Sequence, residues 1–505
     1  MLDKIKEIIA SVVAAIDAGN SWLNNLVWGW PMIVLILGTG LLLTIRMKGL
    51  QITKFGTSLK ETIIPTIKSI GRKKTEDKRA NSISQFEAFS AAISGTIGTG
   101  NILGVASAIL TGGPGAVFWM WISAFFGMLT NYTENVLGLY YRKKEKNGDL
   151  SGGAMYYISE GLKCKWLGCL AAIFCAVAAI GMSGAQTNKI SGTFQSLDLP
   201  IDDTLMAIIV GVVVAVIVAL VIIGGIKRIG KVASILVPFM SLIFIIMSLV
   251  IIAMHIDRVG TAFGLIFSNI FSYEAAFGGA AGFAFSQIIK KGLARGVFSN
   301  EAGLGSSVIA HSASETREPV KQGLWGIFEV FLDTFVVCTL TALIILTTYE
   351  EPELLGGVDA AISMGAFTKN FGVVGTVVFS TILPLFAFTT IIAWSYYGEK
   401  AIDFLFRKRS DKTRKNAVLV FKILYVILIV CAALIENELA WEISDTSNAL
   451  MAIPNLVAVI FLSGQVIKIT KNYFQRKKGE DVEPMLSAYP ELNEEFKKDI
   501  EDGIG

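Results

Sequence analysis

An apolar run long enough to cross a bilayer is interrupted near its middle by a polar, glycine-rich heptapeptide. The run is AAISGTIGTGNILGVASAIL, residues 91–110, and the interruption is Gly95-Thr96-Ile97-Gly98-Thr99-Gly100-Asn101. In hydrocarbon an unpaired backbone N–H or C=O costs several kcal/mol, so a break persists only where it lines a cavity or binds something. Each helix end adds about four unmatched N–H or C=O groups of its own. A helix broken at mid-membrane is therefore a pointer to a transporter binding site.

The rest of the chain agrees with a membrane setting. Of 505 residues, 53% are hydrophobic and only 17% charged, against about a quarter charged in a soluble domain. The expected class is an all-α polytopic membrane protein. The five cysteines form no disulfide framework and no zinc spacing. His255 and His311 are the only histidines, too few for an imidazole metal site or a catalytic triad. No removed signal peptide is read at the N-terminus; residues 1–24 have the pattern of an amphipathic segment lying at the interface.

A span needs about 20 mostly apolar residues, and eleven candidates occur: roughly 25–46, 84–110, 115–140, 166–194, 204–225, 232–254, 283–309, 323–348, 373–405, 416–435 and 447–470. Ten basic residues lie between the first two, from Arg46 to Arg79. Arg142-Lys143-Lys144, Lys227-Arg228, Arg317 with Lys321, RKRSDKTRK (407–415) and Arg476-Lys477-Lys478 repeat the pattern at alternate connections. The intervening connections, DLPIDD (198–203), EEPELLGGVD (350–359) and ENELAWEISD (436–445), are acidic or neutral. Cytoplasmic loops carry the lysine and arginine, so the N-terminus is expected outside, with residues 471–505 forming a cytoplasmic tail. Between 255 and 295 the pattern is ambiguous. Residues 275–282 are read as an outer interfacial element, with Lys290, Lys291 and Arg295 facing a vestibule or snorkelling outward.

With the first span set aside, ten remain: five in 84–254 and five of opposite polarity in 275–470. The seventh span carries a second knot, GVFSNEAGLGSS, residues 296–307. One glycine pair alone reads as close helix packing. Two glycine-interrupted spans at matching places in oppositely oriented halves instead mark an inverted-repeat secondary transporter.

A broken helix offers N–H groups and partial positive charge at one end, and carbonyls with partial negative charge at the other. That chemistry suits the two poles of an amino acid better than a sugar, or a phosphate, which would call for arginine clamps. GIKRIGKV (225–232) approaches a nucleotide loop but has Val232 where Ser or Thr should hold Mg²⁺, so an ion gradient is the expected energy source. Thr389-Thr390 in the ninth span could supply hydroxyls to Na⁺, or bond back to their own helix. Glu87, Glu134, Glu301, Glu329 and Asp333 lie at or near membrane depth, where charge is costly and usually functional or paired. Glu329 and Asp333 could pair with Lys290 or Arg295. These residues alone leave Na⁺ against H⁺ open.

TIGTGNILGVA (96–106), GGPGAVFWMW (112–121), RGVFSNEAGLGS (295–306), AWSYYGEK (393–400) and NALMAIPNL (448–456) resemble the alanine/glycine:cation symporter family, and the similarity runs from about residue 25 to 470. The resemblance implies a leucine-transporter-type 5+5 inverted repeat with one extra span in front, and Na⁺-coupled, or H⁺-coupled, uptake of alanine or glycine. By position it implies that Thr96, Gly98, Thr99, Gly100 and Asn101 hold the substrate, with Gln186 reaching in and Phe298 capping the pocket. Thr390 and Trp394 would wall its side-chain end. A sodium would lie among the carbonyls of Ser94, Ile97 and Phe386 and the hydroxyls of Thr389 and Thr390. The chain departs from the family in GMSGA (181–185), before Gln186, and in Ser94-Gly95, which bears on substrate size because some relatives prefer glutamine. No cofactor, enzymatic activity or nucleic-acid partner is implied. The expectation is a monomer in the cytoplasmic membrane.

Overall fold

The structure, a computed structural model, describes residues 17–69, 83–145, 148–197, 200–271, 281–350, 358–435 and 437–502. The chain opens with α1 (Asp17–Val27) and α2 (Trp30–Arg46), bent by 45° at their junction. There follow α3 (Gln85–Thr96), α4 (Leu103–Gly112), α5 (Gly115–Tyr140), α6 (Lys165–Gln195), α7 (Asp203–Ile222) and α8 (Gly225–Met254). Next come α9 (Ala281–Asn300), α10 (Ser307–His311), α11 (Pro319–Thr348), α12 (Val373–Leu405), α13 (Asp411–Ala432), α14 (Asn437–Lys477) and α15 (Pro490–Glu501). A hairpin of β1 (Lys143–Lys144) and β2 (Leu150–Ser151) follows α5. Seven helices among the described residues are long and apolar enough to cross a bilayer, or eight with α1 and α2 taken as one bent span.

The lipid-facing surface follows from helix periodicity. On α7, Met206, Val210, Val214 and Val218 recur every fourth residue and are buried, while Leu205, Ile209, Val213 and Leu220 stand exposed. A helix apolar all round with one face against protein turns the other to hydrocarbon. Between helices in lipid, association rests on close packing rather than exclusion of water. Small residues accordingly mark the tightest crossings: a Cβ on Gly40 of α2 would stand 2.4 Å from Phe126 Cβ of α5. One on Gly398 of α12 would stand 2.2 Å from Phe421 Cζ of α13.

The helices pack in pairs: α5 on α11, α6 on α12, and α7 on α13. α9 lies against α5, and α14 against α6 and α2. α3 starts and α10 stops at one end of the bundle, where Ile83 bridges to Ser314. Arg142, at the foot of α5, holds the carbonyls of Ser312, Ser314 and Thr316 there. At the opposite end Arg295 pairs with Asp445 at 3.1 Å, and Lys189 with Asp359 at 2.9 Å.

Several expectations need correction. The first helix does not begin at 25: residues 17–27 are already helical, and Gly29 and Pro31 set the bend where α2 starts, a favoured place for proline. This stretch leans on α14, with Ser21 Oγ 2.6 Å from Glu442 Oε2 and Asn24 Nδ2 3.0 Å from Thr446 Oγ1. Residues 1–16 of the expected amphipathic segment, and 275–280 of the expected interfacial element, lie outside the described residues. The expected pairing of Glu329 or Asp333 with Lys290 or Arg295 does not occur. Glu329 bonds His311, Asp333 bonds neutral donors, and Arg295 is taken by Asp445. Beyond residue 479 the chain folds back: Phe496 of α15 lies 5.0 Å from both the Arg142 and Arg317 guanidinium carbons, and Arg317 Nε meets Asp499 at 2.7 Å.

Candidate functional site

α3 begins with a capping box, Glu87 N–H donating to Ser84 Oγ at 3.2 Å and Ser84 N–H to Glu87 Oε2 at 2.9 Å. Glu87 therefore serves a helix start. α3 stops at Thr96 because Ile97 leaves helical conformation (ψ 92°) and Gly98 is extended (φ −131°, ψ −154°). A single 3-10 turn, Thr99–Asn101, precedes α4. Asn101 Oδ1 accepts the Gly98 N–H at 3.0 Å, replacing a helical carbonyl. Its amide donates to Asp333 Oδ1 at 2.5 Å, and the Thr341 hydroxyl caps the Asn101 carbonyl at 2.8 Å. Asp333 Oδ2 accepts the Ser299 and Thr334 hydroxyls at 2.8 Å each. Asp333 sits in a π-helical stretch of α11, Phe331–Cys338, an irregularity found mostly at functional sites.

The second break lies between α9 and α10. Glu301 is left-handed (φ 53°), as are Gly303 (φ 96°) and Gly305 (φ 71°). A left-handed glutamate is uncommon, and this one is held from both sides. Trp394 Nε1 donates to its Oε1 at 2.8 Å, and the Ser306 hydroxyl to its Oε2 at 2.5 Å. Asn455 of α14 donates to the Gly303 carbonyl at 2.8 Å and to Glu134 of α5.

The two breaks meet. A Cβ on Gly100 would stand 3.0 Å from Phe298 Cδ1, and one on Gly95 3.4 Å from Glu301 Oε1. A Cβ on Gly98 would stand 2.5 Å from Thr390 Oγ1 and 3.3 Å from Gln186 Nε2, so α6 and α12 close on the first break. Gln186 Oε1 accepts both the N–H (3.2 Å) and the hydroxyl (2.9 Å) of Thr99. Thr390 Oγ1 lies 3.0 Å from the Ser94 carbonyl and 3.1 Å from that of Phe386, and Thr389 Oγ1 lies 2.9 Å from the latter. Thr389 thus bonds back to its own helix, while Thr390 also ties α12 to α3.

Every residue the resemblance assigns to substrate or sodium is buried: Ser94, Thr96, Ile97, Gly98, Thr99, Gly100, Asn101, Gln186, Phe298, Phe386, Thr389, Thr390 and Trp394. They divide into groups. Gly98, Thr99, Gln186 and Thr390 form one contact, with Ser94, Phe386 and Thr389 along its edge. Gly100 joins Phe298, whose ring lies tilted against Trp441 with centroids 4.5 Å apart. The Thr96 hydroxyl bonds its own helix at Ile93, and the Ile97 N–H bonds the same carbonyl. Trp394 is committed to the second break through Glu301. Asn455 was missed from the sequence, although an asparagine beside Pro454 in an apolar run is a readable signal. The π-helical setting of Asp333 has no local signature.

Residues 13–487 match the sodium:alanine symporter family. The sodium/alanine symporter AgcS of Methanococcus maripaludis is 41% identical, the match covering 90% of this chain and 97% of that one. The probable sodium/glutamine symporter GlnT of Bacillus subtilis is 36% identical over 91% of each chain. The structure of MhsT in complex with L-phenylalanine, a leucine-transporter-type fold, covers 78% of this chain and 99% of its own, with a TM-score of 0.54 at 13% identity. With two broken helices meeting at a buried polar centre and matches running nearly end to end, this integral membrane protein is a transporter rather than an enzyme, and it belongs to the sodium:alanine symporter family.

Proposed function

We propose that the protein takes up alanine or glycine by Na⁺-coupled symport and alternating access. The observation that carries this reading is the contact of Gln186 with the first break. Its amide oxygen accepts the N–H and hydroxyl of Thr99 together, where a substrate carboxylate oxygen would be received at the partial positive charge of a helix start. Thr96, Gly98, Gly100 and Asn101 would complete the cradle, with Phe298 and Trp394 closing it. The close approach of Gly98 to Thr390 and of Gly100 to Phe298 favours small cargo. Glutamine is the second reading, on the likeness to a probable glutamine symporter. For Na⁺, the Ser94 and Phe386 carbonyls with the Thr389 and Thr390 hydroxyls make a hard-oxygen set, to which Ile97 would add its carbonyl.

Two repeats of five, over 84–254 and 275–470, are supported by the pairing of α5 with α11, α6 with α12 and α7 with α13, each helix against its counterpart. Counting the bent α1–α2 and both broken helices gives eleven spans, the first being the extra one. The basic connections support an N-terminus outside and a C-terminus inside, in the cytoplasmic membrane, with the monomer as working unit.

The test is a substrate panel in proteoliposomes with Na⁺ and pH gradients imposed separately. Alanine or glycine uptake should follow the Na⁺ gradient, and Thr390→Ala should abolish it with expression intact. Uptake indifferent to Na⁺, or undiminished in Thr390→Ala, would sink the assignment.

A further inference from the structure

A buried chain of three side chains lies at the foot of the second broken helix, outside the residues given to substrate and sodium. His311 Nε2 lies 2.7 Å from Glu329 Oε2, and Gln322 Nε2 lies 2.6 Å from His311 Nδ1. All three are 0% exposed. An amide nitrogen only donates, so Nδ1 here accepts, and the ring carries its proton on Nε2, facing the carboxylate. Gln322 Oε1 has no hydrogen-bond partner among the described residues. Turning that amide by half a rotation brings Oε1 onto Nδ1 and requires a proton there. With that proton added, the pair is either an imidazolium facing the Glu329 carboxylate or a neutral ring, Nδ1–H donating to Gln322 and Nε2 accepting from a protonated Glu329; both carry one proton more than the first arrangement and no net charge. The trio thus has two arrangements, separated by one proton and the sense of one amide.

We propose that His311, Glu329 and Gln322 form a proton-binding site whose loading controls the clamp joining the ends of the two broken helices. The residues that follow His311 are that clamp. Ile83 N–H donates to the Ala313 carbonyl at 3.2 Å, and Glu315 N–H to the Ile83 carbonyl at 2.8 Å, fixing the start of α3. Arg142 gathers the carbonyls of Ser312 (3.3 Å), Ser314 (2.8 Å) and Thr316 on the other side. α10 is five residues long, so a change of charge at His311 acts on the clamp through a single turn.

The ionisable groups facing Glu329 of the trio are Glu134 of α5, Glu301 of the break, Asp333 of α11 and Tyr397 of α12. The elements packed against α10 and α11 also carry Glu87 of α3, Arg142 at the foot of α5, Lys60 and Glu61 of the short helix Phe55–Glu61, and Arg476 of α14 with its partner Glu318, while Lys321 lies on α11 itself. None is a hydrogen-bond partner of the three. Placing the clamp on the cytoplasmic side rests on the orientation proposed above; the chemistry of the trio does not.

The chain has one other histidine, His255, whose Nε2 lies 2.7 Å from Asn370 Oδ1. Imidazole ¹⁵N spectra of the full-length protein in lipid therefore hold two rings, assigned with His255→Asn. As the pH is lowered from 9 to 5, His311 Nδ1 should pass from acceptor to protonated nitrogen in a single one-proton step. Glu329→Gln should move that midpoint by roughly one pH unit or more. A constant Nδ1 signal across the range, or an unmoved midpoint, would overturn the site whether or not the protein transports alanine. Na⁺-driven uptake should change with the pH on the clamp side at the same midpoint, and His311→Gln should remove that dependence. Uptake indifferent to pH there in the unmodified protein would overturn the control of the clamp.

Discussion

A methyl group on Gly98 would stand 2.5 Å from the Thr390 hydroxyl, whereas one on Gly38 of α2 would have nothing within 4 Å. The two glycines differ in what surrounds them, and the difference has a measurable consequence. Overpacking costs about 1–3 kcal/mol, so Gly98→Ala should weaken apparent substrate affinity by roughly 5- to 150-fold. Gly38→Ala should leave uptake unchanged. Concentration-dependent uptake of both variants in proteoliposomes decides it, and equal curves would remove Gly98 from the site. Trp394 poses a different problem at the same scale. Its ring nitrogen is committed to Glu301, so any role in limiting substrate volume is tied to the charge and strain of the second break.

At the level of elements, the two breaks are stopped by different means. α3 ends on an extended glycine with an asparagine side chain as substitute acceptor, and its far end is fixed by the Ser84–Glu87 capping box. Losing such a cap costs about 1 kcal/mol, so Ser84→Ala should lower the melting temperature in detergent, while Ser84→Asp should retain most of it. No difference between the two would mean the cap is idle. The first break was legible because glycine, threonine and asparagine stand where a lipid-spanning run should be apolar. The second was legible in outline for the same reason. Its bonding was not: Glu301 finds Trp394 across 93 residues and Asn101 finds Asp333 across 232, pairings that no local pattern encodes. Arg295 was read as a vestibule residue, and only the fold shows that Asp445 meets it. The bend at residues 28–29 was readable in principle, since Gly29 and Pro31 flank the start of α2.

For the whole molecule, the described ends of the chain are tied into the bundle rather than appended to it. α15 reaches the clamp region by stacking Phe496 under Arg142 and Arg317, contacts worth about 0.5–1 kcal/mol each at exposed sites and more when desolvated. Phe496→Ala should therefore speed proteolysis of residues 480–502 from the Arg142 side of sealed vesicles; an unchanged cleavage rate would show that the stacking holds nothing. The other tie is between α1 and α14. Trp28 Nε1 donates to the Asp445 carbonyl at 3.0 Å across a sequence separation of 417, and Ser21 reaches Glu442 across 421. Ribosomes extend a chain by about 5–20 residues per second. The first helix thus waits on the order of half a minute in the bilayer before the residues that satisfy its serine, asparagine and tryptophan have been synthesised. During that interval these polar groups lack their partners in α14 and are exposed to membrane quality control. Lesions in α14 that spare the transport site would then appear as lost protein rather than as slow transport.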